Sequence, residues 1–581
     1  MPPVVESRPT WSSNFRLYLA MFSYSTGITI PKFASPWLLK TNVGILLLIP
    51  VQLLVMFLTT IPCMFMELAL GQYSNRAVIR VWDLCPLLRG IGLCSFLTFL
   101  LYQSYYNFLC TCSLCFTFLS FTSEPQWRSC NRSWNKINCF TLRDNYTKRL
   151  ECSQRYGREK CDKMQWQSSV EQFYFNRVLN TDETSGYVGA PQPELLVYGL
   201  VTIILIFFAN YGGPKTTEKF LLVLATVPTV QMVVLFFAPL SDQNGFVTLN
   251  YLFTQLDVKN LSNFKTWTRI INLSLSSPGL GFGAFIAFGT QSTFRTPLHF
   301  KAIIISVTSV LFTVLYSIIV QNFLISLCIQ SQMLFDDFFK LEQELEMPEA
   351  VFFLEHSSRF WITMWLSNCY MTGLRSLIVM MCLNTEVVYN SLPKARKRHT
   401  LCVLTFSLII YTGTIFLSTR IGYSVFKTIE SVLNDFCVPF LNTLQLVGVV
   451  YFYGITKFRD DVHFMLGIRS SVYWNTLYVL NPLLLGIVLA YNLHDFFTGG
   501  SFNFHSLGIF RISLIWFSLV VVTLYAFFYI IVSFFGHHFK VCKSSPEWGP
   551  RHGSLFVSRK MFKAYNVAKE YLYRQERFSQ Q

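Results

Sequence analysis

Runs of about twenty predominantly apolar residues recur along this chain, and no other feature constrains its fold as tightly. A hydrocarbon layer about 30 Å thick takes roughly 20 apolar residues of helix to cross. Inside that layer every backbone amide must be satisfied within the protein, which favours helices. Helices are expected near 14–37, 44–66, 89–121, 194–210, 218–239, 267–290, 299–328, 358–388, 400–418, 430–455, 472–493 and 509–536. The expected fold class is an all-α integral membrane protein with about twelve transmembrane helices. Composition agrees: the 581 residues are only 13% charged, against about 25% in soluble domains. The 57 Phe suit lipid-facing helices and interfacial belts. No Pro/Gly/Ser-rich linker divides the chain, and no cleavable signal peptide precedes the first run, which would serve as its own insertion signal.

The net charge of +16 sits mostly in short loops between apolar runs, not in a basic-aromatic module that would bind nucleic acid. Arg76, Arg80 and Arg89 follow the second run, and Lys215 and Lys219 lie between the fourth and fifth. Arg295, Lys301, Lys394, Arg396, Lys397, Arg398, Lys457, Arg459 and Arg469 continue the pattern. These loops share one face only if the number of crossings is even, so both termini are expected in the cytoplasm. The opposite face carries the long 122–193 loop with glycosylation sequons at Asn131 and Asn145, and Asn260 adds a third. A fourth sequon, at Asn272, falls within an expected helix. Four of the 16 Cys, at 130, 139, 152 and 161, fall in the same loop, which suggests an oxidising compartment. Most others lie in apolar runs as small hydrophobes, and no Cys/His spacing resembles a zinc site.

Two runs are interrupted. The first contains Gly27-Ile28-Thr29-Ile30-Pro31, and the sixth contains Ser276-Ser277-Pro278-Gly279-Leu280-Gly281-Phe282-Gly283. Proline removes a helix donor and clashes with the preceding turn. Freed backbone is tolerated at membrane depth only where it lines a protected cavity. Runs 1–5 and 6–10 form two groups of five, so the breaks hold corresponding places. That pairing points to a 5+5 inverted repeat with a binding site near the midplane; the competing reading is two ordinary kinks.

Several motifs resemble the neurotransmitter:sodium symporter family, over roughly Arg8 to residue 536. They are Met66-Glu67-Leu68-Ala69-Leu70-Gly71-Gln72-Tyr73, Cys85-Pro86-Leu87-Leu88-Arg89-Gly90-Ile91-Gly92, Tyr105-Tyr106-Asn107, Trp127 with Cys130, Trp134-Asn135 and Cys139, and Tyr453-Gly454-Ile455-Thr456. The resemblance implies alternating access around a central amine or amino-acid site, and a Cys130–Cys139 disulfide. It places Tyr106 at the substrate, with Ser25, Gly27, Ser277 and Gly279 from the two breaks beside it.

The same resemblance exposes departures. The sodium-binding Asn of the first helix is Ile30, and an Asn shared by the first sodium site and the chloride site is Ser309. The chloride-binding Tyr is Val51, a sixth-helix Gln is Leu273, and a seventh-helix Ser is Thr313, while Ser277 keeps a hydroxyl. At the second sodium site the sequence reads Gly373-Leu374-Arg375-Ser376. Arg375 thus places a fixed charge where relatives offer an ion ligand. An Arg at mid-span costs roughly 2.5–3.5 kcal/mol on insertion scales. It is expected either to replace the second sodium or to snorkel or pair, for example with Glu67 or Glu386. The outer gate reads Phe33 or Ala34 opposite Gln445. The inner gate keeps Arg8, but its acid is Asn390, with Glu386 one turn earlier.

The expected organisation is a cytoplasmic segment 1–13, a first repeat 14–239, a second repeat 240–455, helices 11–12 over 456–536, and a cytoplasmic tail 537–581. The expected function is secondary transport of a small amino acid or amine, with coupling to sodium and chloride weakened or lost. The alternative is a non-transporting relative that serves as a partner or scaffold. An enzyme is not expected, since no nucleophile–base set, Walker loop or metal motif occurs, and neither is any cofactor or metal besides those ions. The expected partners are the lipid bilayer and a small-molecule substrate. Homo-oligomerisation, and plasma membrane against vesicle, stay open.

Overall fold

The computed structural model describes residues 11–27, 29–30, 44–122, 125–141, 152, 154, 166–181, 188–238, 245–254, 258–330, 358–467, 469, 471–498, 506–535 and 542–562. Among them, ten helices are long and apolar enough to cross a membrane. They are Ile45–Ser74, Pro86–Ser120, Pro193–Tyr211, Pro214–Phe237, Leu298–Phe323, Arg359–Ser391, Pro393–Leu417, Gly422–Leu466, Val472–Thr498 and Ile509–Phe535. The first and sixth places are filled by shorter pieces: Asn14–Ser25, and the pair Phe264–Ser276 and Ala284–Thr290. The expected set of about twelve, with the first and sixth broken, is therefore present.

Each break has a local cause. The first helix ends at Ser25, with the Thr26 amide still bonded to the Phe22 carbonyl. In the sixth, Gly279, Gly281 and Gly283 take φ of +73°, +87° and +78° around Pro278. That left-handed backbone costs a side-chain-bearing residue more than it costs glycine. The longer piece, Phe264–Ser276, starts after Asn263, whose Oδ1 accepts from the Lys265 amide at 3.0 Å and so satisfies a first-turn donor.

The second and tenth helices extend furthest beyond the sequence reading. The second helix was expected to stop at residue 66 but runs to Ser74. Its polar residues do not end it because their partners lie across the bundle: Glu67 Oε1 accepts from the Gly281 amide at 2.8 Å, and Gln72 Nε2 donates to Thr293 O and Thr296 O at 2.7 and 2.8 Å. The tenth, expected over 430–455, spans Gly422–Leu466 through wide turns at Val432–Cys437 and Gly448–Gly454.

The eighth helix is the core strut. Of its most apolar stretch 89% is buried, against 11% for the twelfth, so polar side chains on the eighth must find protein partners. Asn368 Nδ2 donates to the Pro228 carbonyl at 2.6 Å, and Asn384 Nδ2 donates to Gln103 Oε1. Such interhelical bonds hold helices together where lipid supplies no hydrophobic drive.

At one end of the bundle both terminal segments meet the basic loops. Trp11 Nε1 donates to Gln291 Oε1, and the Ser12 amide and hydroxyl donate to Glu218 at 2.6 and 2.7 Å. Asp83 accepts from both Arg76 and Arg89. Residues 542–562 return there: the Ser545 amide donates to Asp83 O at 2.9 Å, and Arg559 Nε donates to Asp461 Oδ1 at 2.8 Å. At the other end a Cys130–Cys139 disulfide closes a loop that packs Trp127 and Trp134 on Phe173. Cys152 is also disulfide-bonded, and Cys161 lies outside the described residues.

Candidate functional site

The third helix aims a row of aromatic side chains at the two breaks. Phe99, Tyr102 and Tyr106 are spaced three and four residues apart, one face of a helix. Tyr106 is 1% exposed. A β-carbon on Gly27 would fall 1.6 Å from Tyr106 Oη and 2.6 Å from Ser376 Oγ. The phenol thus occupies the space that glycine vacates at the end of the first helix, facing protein and not lipid. Tyr102 stacks on Phe282 at 4.8 Å and meets Tyr106 edge-on at 5.4 Å. Tyr24 donates from Oη to Gly279 O at 2.8 Å and ties one break to the other. Its ring meets Phe285 and Phe288 at 5.7 and 6.0 Å. Tyr24 and Tyr102 were not singled out in the sequence, although the spacing on the third helix carries a signal for Tyr102.

The first ion constellation keeps hydroxyls and loses its amides. Ser277 Oγ and Ser309 Oγ lie 3.1 Å apart, and Thr313 Oγ1 donates to Ser309 O at 2.9 Å. Ser25 is fully buried, with its hydroxyl 3.4 Å from Phe22 O. Ile30 packs among Met232, Leu235, Phe312, Tyr316 and Ile319, and its own side chain offers an ion no oxygen. Val51 and Leu273 are buried too.

At the eighth helix, Arg375 is fully buried. Its Nη2 donates to Thr26 O and, at 2.7 Å, to Thr26 Oγ1. Its guanidinium lies 4.9 Å from the Phe22 ring centroid. The adjacent Ser376 donates to Ser23 O at 2.6 Å. Consecutive eighth-helix residues thereby hold two carbonyls at the broken end of the first helix. Arg375 forms no ion pair among the described residues, since Glu67 is engaged with the Gly281 amide. Glu386 lies eleven residues farther along the same helix, roughly 16 Å at the helical rise.

Gln445, expected at the outer gate, is 1% exposed and donates to Gly281 O at 2.8 Å. With Glu67 on the Gly281 amide, it brackets both polar groups of that peptide position, so it sits at the sixth-helix break in the bundle centre. The tenth-helix acid beside the third-helix tyrosines is Glu430, which accepts from Tyr105 Oη at 2.9 Å. Sequence reading missed it because the register of an acid along a helix does not say which neighbour it faces. At the end of the bundle that gathers both terminal segments, Asn390 donates to Asn75 O at 3.4 Å and its carbonyl accepts from Arg80 Nη1 at 3.3 Å, and Glu386 is buried. Arg8, Phe33, Ala34 and Asn145 lie outside the described residues. Asn131 is exposed, Asn260 is part-exposed, and Asn272 is buried within its helix.

A separate cavity of about 240 Å³ lies between the sixth, tenth, eleventh and twelfth helices. Lys265, Arg269, Asp435, Asp495 and Arg511 line it, with Lys265 Nζ bonded to Asp495 Oδ1 at 3.1 Å.

Sequence comparison agrees with this arrangement. Residues 8–537 match the model of a family described as the sodium:neurotransmitter symporter family. The chain is 26% identical over 515 residues to the sodium-dependent dopamine transporter of Bos taurus, covering 85% of this chain and 70% of that protein. It is 24% identical over 509 residues to the sodium-dependent serotonin transporter of Drosophila melanogaster, covering 84% and 76%. It is 23% identical over 499 residues to the Drosophila melanogaster sodium- and chloride-dependent GABA transporter ine; the match covers 84% of this chain and 51%, about half, of that relative.

Proposed function

This chain belongs to the sodium:neurotransmitter symporter family, and from that membership we propose that it moves a small amino acid or amine across a membrane by alternating access, with Arg375 in place of the second sodium ion. The observation that carries this reading is the pair of bonds from Arg375 to Thr26 O and from Ser376 to Ser23 O. Carbonyls at a broken helix attract cations. A guanidinium brings one positive charge, stays protonated, and is covalently retained. Closure of the first helix on the eighth then needs no dissociable sodium. The hydroxyl-only arrangement of Ser277, Ser309 and Thr313 supports weakened coupling to chloride and to the first sodium.

The test is uptake of radiolabelled amino acids and amines into vesicles reconstituted with purified protein, with sodium or an inert cation outside. Uptake is expected to be insensitive to that exchange, and Arg375→Asp to introduce sodium dependence. Wild-type uptake that climbs steeply with sodium would overturn the assignment. A second reading, a non-transporting partner protein, is favoured by the close packing of Tyr102 and Phe282 between the breaks. It predicts no uptake of any compound by well-folded protein. We also assign the end that gathers both terminal segments to the cytoplasm, and Asn131 and Asn260 to glycans on the opposite face. Glycosidase treatment of protein from mammalian cells is expected to raise its mobility; unchanged mobility would refute the glycans.

A further inference from the structure

Arg375 uses only part of its hydrogen-bonding capacity. A guanidinium has five N–H donors. Nη2 is committed to Thr26, while Nε and Nη1 are buried without any partner. Unpartnered donors are costly, and an unneutralised buried charge costs more still. Among the described residues no acid forms an ion pair with Arg375: Glu67 accepts from the Gly281 amide, Glu218 binds Ser12 at the end of the bundle, and Glu386 is three helical turns away. The phenol of Tyr316 donates to Asn368 Oδ1 at 2.6 Å and takes no bond from Arg375. Water could fill the donors but would leave the charge uncompensated.

We propose that the free side of Arg375 binds a small monovalent anion. Arg375 bonds to none of Ser277, Ser309 and Thr313; it meets the first helix at Thr26, on the side that faces the eighth. Its walls are aromatic. Phe22 covers the guanidinium at 4.9 Å and meets Phe312 edge-on at 5.4 Å, and Tyr316 meets Trp365 edge-on at 5.9 Å. The Ser23 hydroxyl, on the same turn as Phe22, is also buried and unpartnered. Such surroundings suit an anion of low hydration demand, either a free halide or the carboxylate end of the carried molecule. In either form it would neutralise the charge and let the Arg375 tether persist in a low-dielectric core. The proposal does not depend on whether the protein transports.

The test is thermal unfolding of the full-length protein in zwitterionic lipid nanodiscs at constant ionic strength, replacing gluconate stepwise with chloride, or with formate as the smallest carboxylate. The wild type is expected to gain a saturable rise in its unfolding midpoint with chloride, formate or both. Response to chloride identifies a free halide, and response to formate alone identifies a carboxylate; either supports the site. Arg375→Met should abolish the response, and Arg375→Lys should keep it at about tenfold weaker half-saturation. Equal midpoints of the wild type in all three anions would overturn the proposal, without any variant being needed. So would a Met variant that responds as the wild type does. Because the readout is binding to unenergised protein, it can succeed or fail independently of the uptake experiment.

Discussion

Gly27 shows how one absent methyl group shapes the site. The space its β-carbon would need is taken by Tyr106 Oη at 1.6 Å, with the ring carbon behind it at 2.9 Å. Gly27→Ala must displace the phenol or the first helix, and overpacking of this kind costs about 1–3 kcal/mol. A Tyr106→Phe substitution removes the nearest atom but not the ring. We therefore expect Gly27→Ala to lower the unfolding midpoint and the double variant to recover part of the loss. Measured strict additivity would mean that the two residues do not touch. Arg375 belongs to the same scale: within the sequence Gly373-Leu374-Arg375-Ser376 one side chain places a permanent charge in a buried span, where we propose that it stands in for a dissociable ion.

Among the elements, the returning segment 542–562 is held by side chains from three parts of the chain. Trp548 donates to Tyr453 Oη at 3.0 Å and packs on Tyr73 at 5.9 Å, while Arg76 Nη2 donates to Glu547 O at 2.6 Å. Burial, with the like charge of Arg80 next, pushes the Arg76 guanidinium down to about 10, still well above neutrality, so these bonds persist across the physiological range. Trp548→Ala removes an aromatic anchor that touches both the second and tenth helices. We expect faster hydrogen exchange over 542–562 and faster protease cleavage there, with the exchange of the eighth helix unchanged. Unchanged exchange in 542–562 would show that Trp548 does not anchor the segment.

For the whole molecule, the two broken helices are joined through few bonds, so each bond matters to how the repeats move. Tyr24 Oη to Gly279 O spans them directly. A net hydrogen bond of this kind is worth about 0.5–1.5 kcal/mol, enough to change the balance of two nearly matched conformations roughly two- to tenfold. Tyr24→Phe keeps the ring contacts with Phe285 and Phe288 and deletes only that bond. We expect labelling of a cysteine introduced beside the breaks to quicken by about that factor, with little change in unfolding midpoint. An unaltered labelling rate would indicate that other contacts hold the breaks together.

The sequence alone determined the class and the order of the parts. Apolar length fixed helices across a membrane, because lipid offers the backbone no partner, and paired Gly/Pro interruptions marked the first and sixth helices, because no regular helix accommodates Ser276-Ser277-Pro278-Gly279. It also marked Arg375, because a charge at membrane depth has to be answered. Tertiary structure alone decided who answers it. Whether Arg375 meets Thr26, Glu67 or Glu386 depends on helix rotation and depth, which periodicity does not encode. For the same reason only the fold shows that Gln445 meets Gly281, that Glu67 and Gln72 continue a helix that polarity suggested they would end, and that Tyr24 bridges two breaks that lie 255 residues apart in the chain.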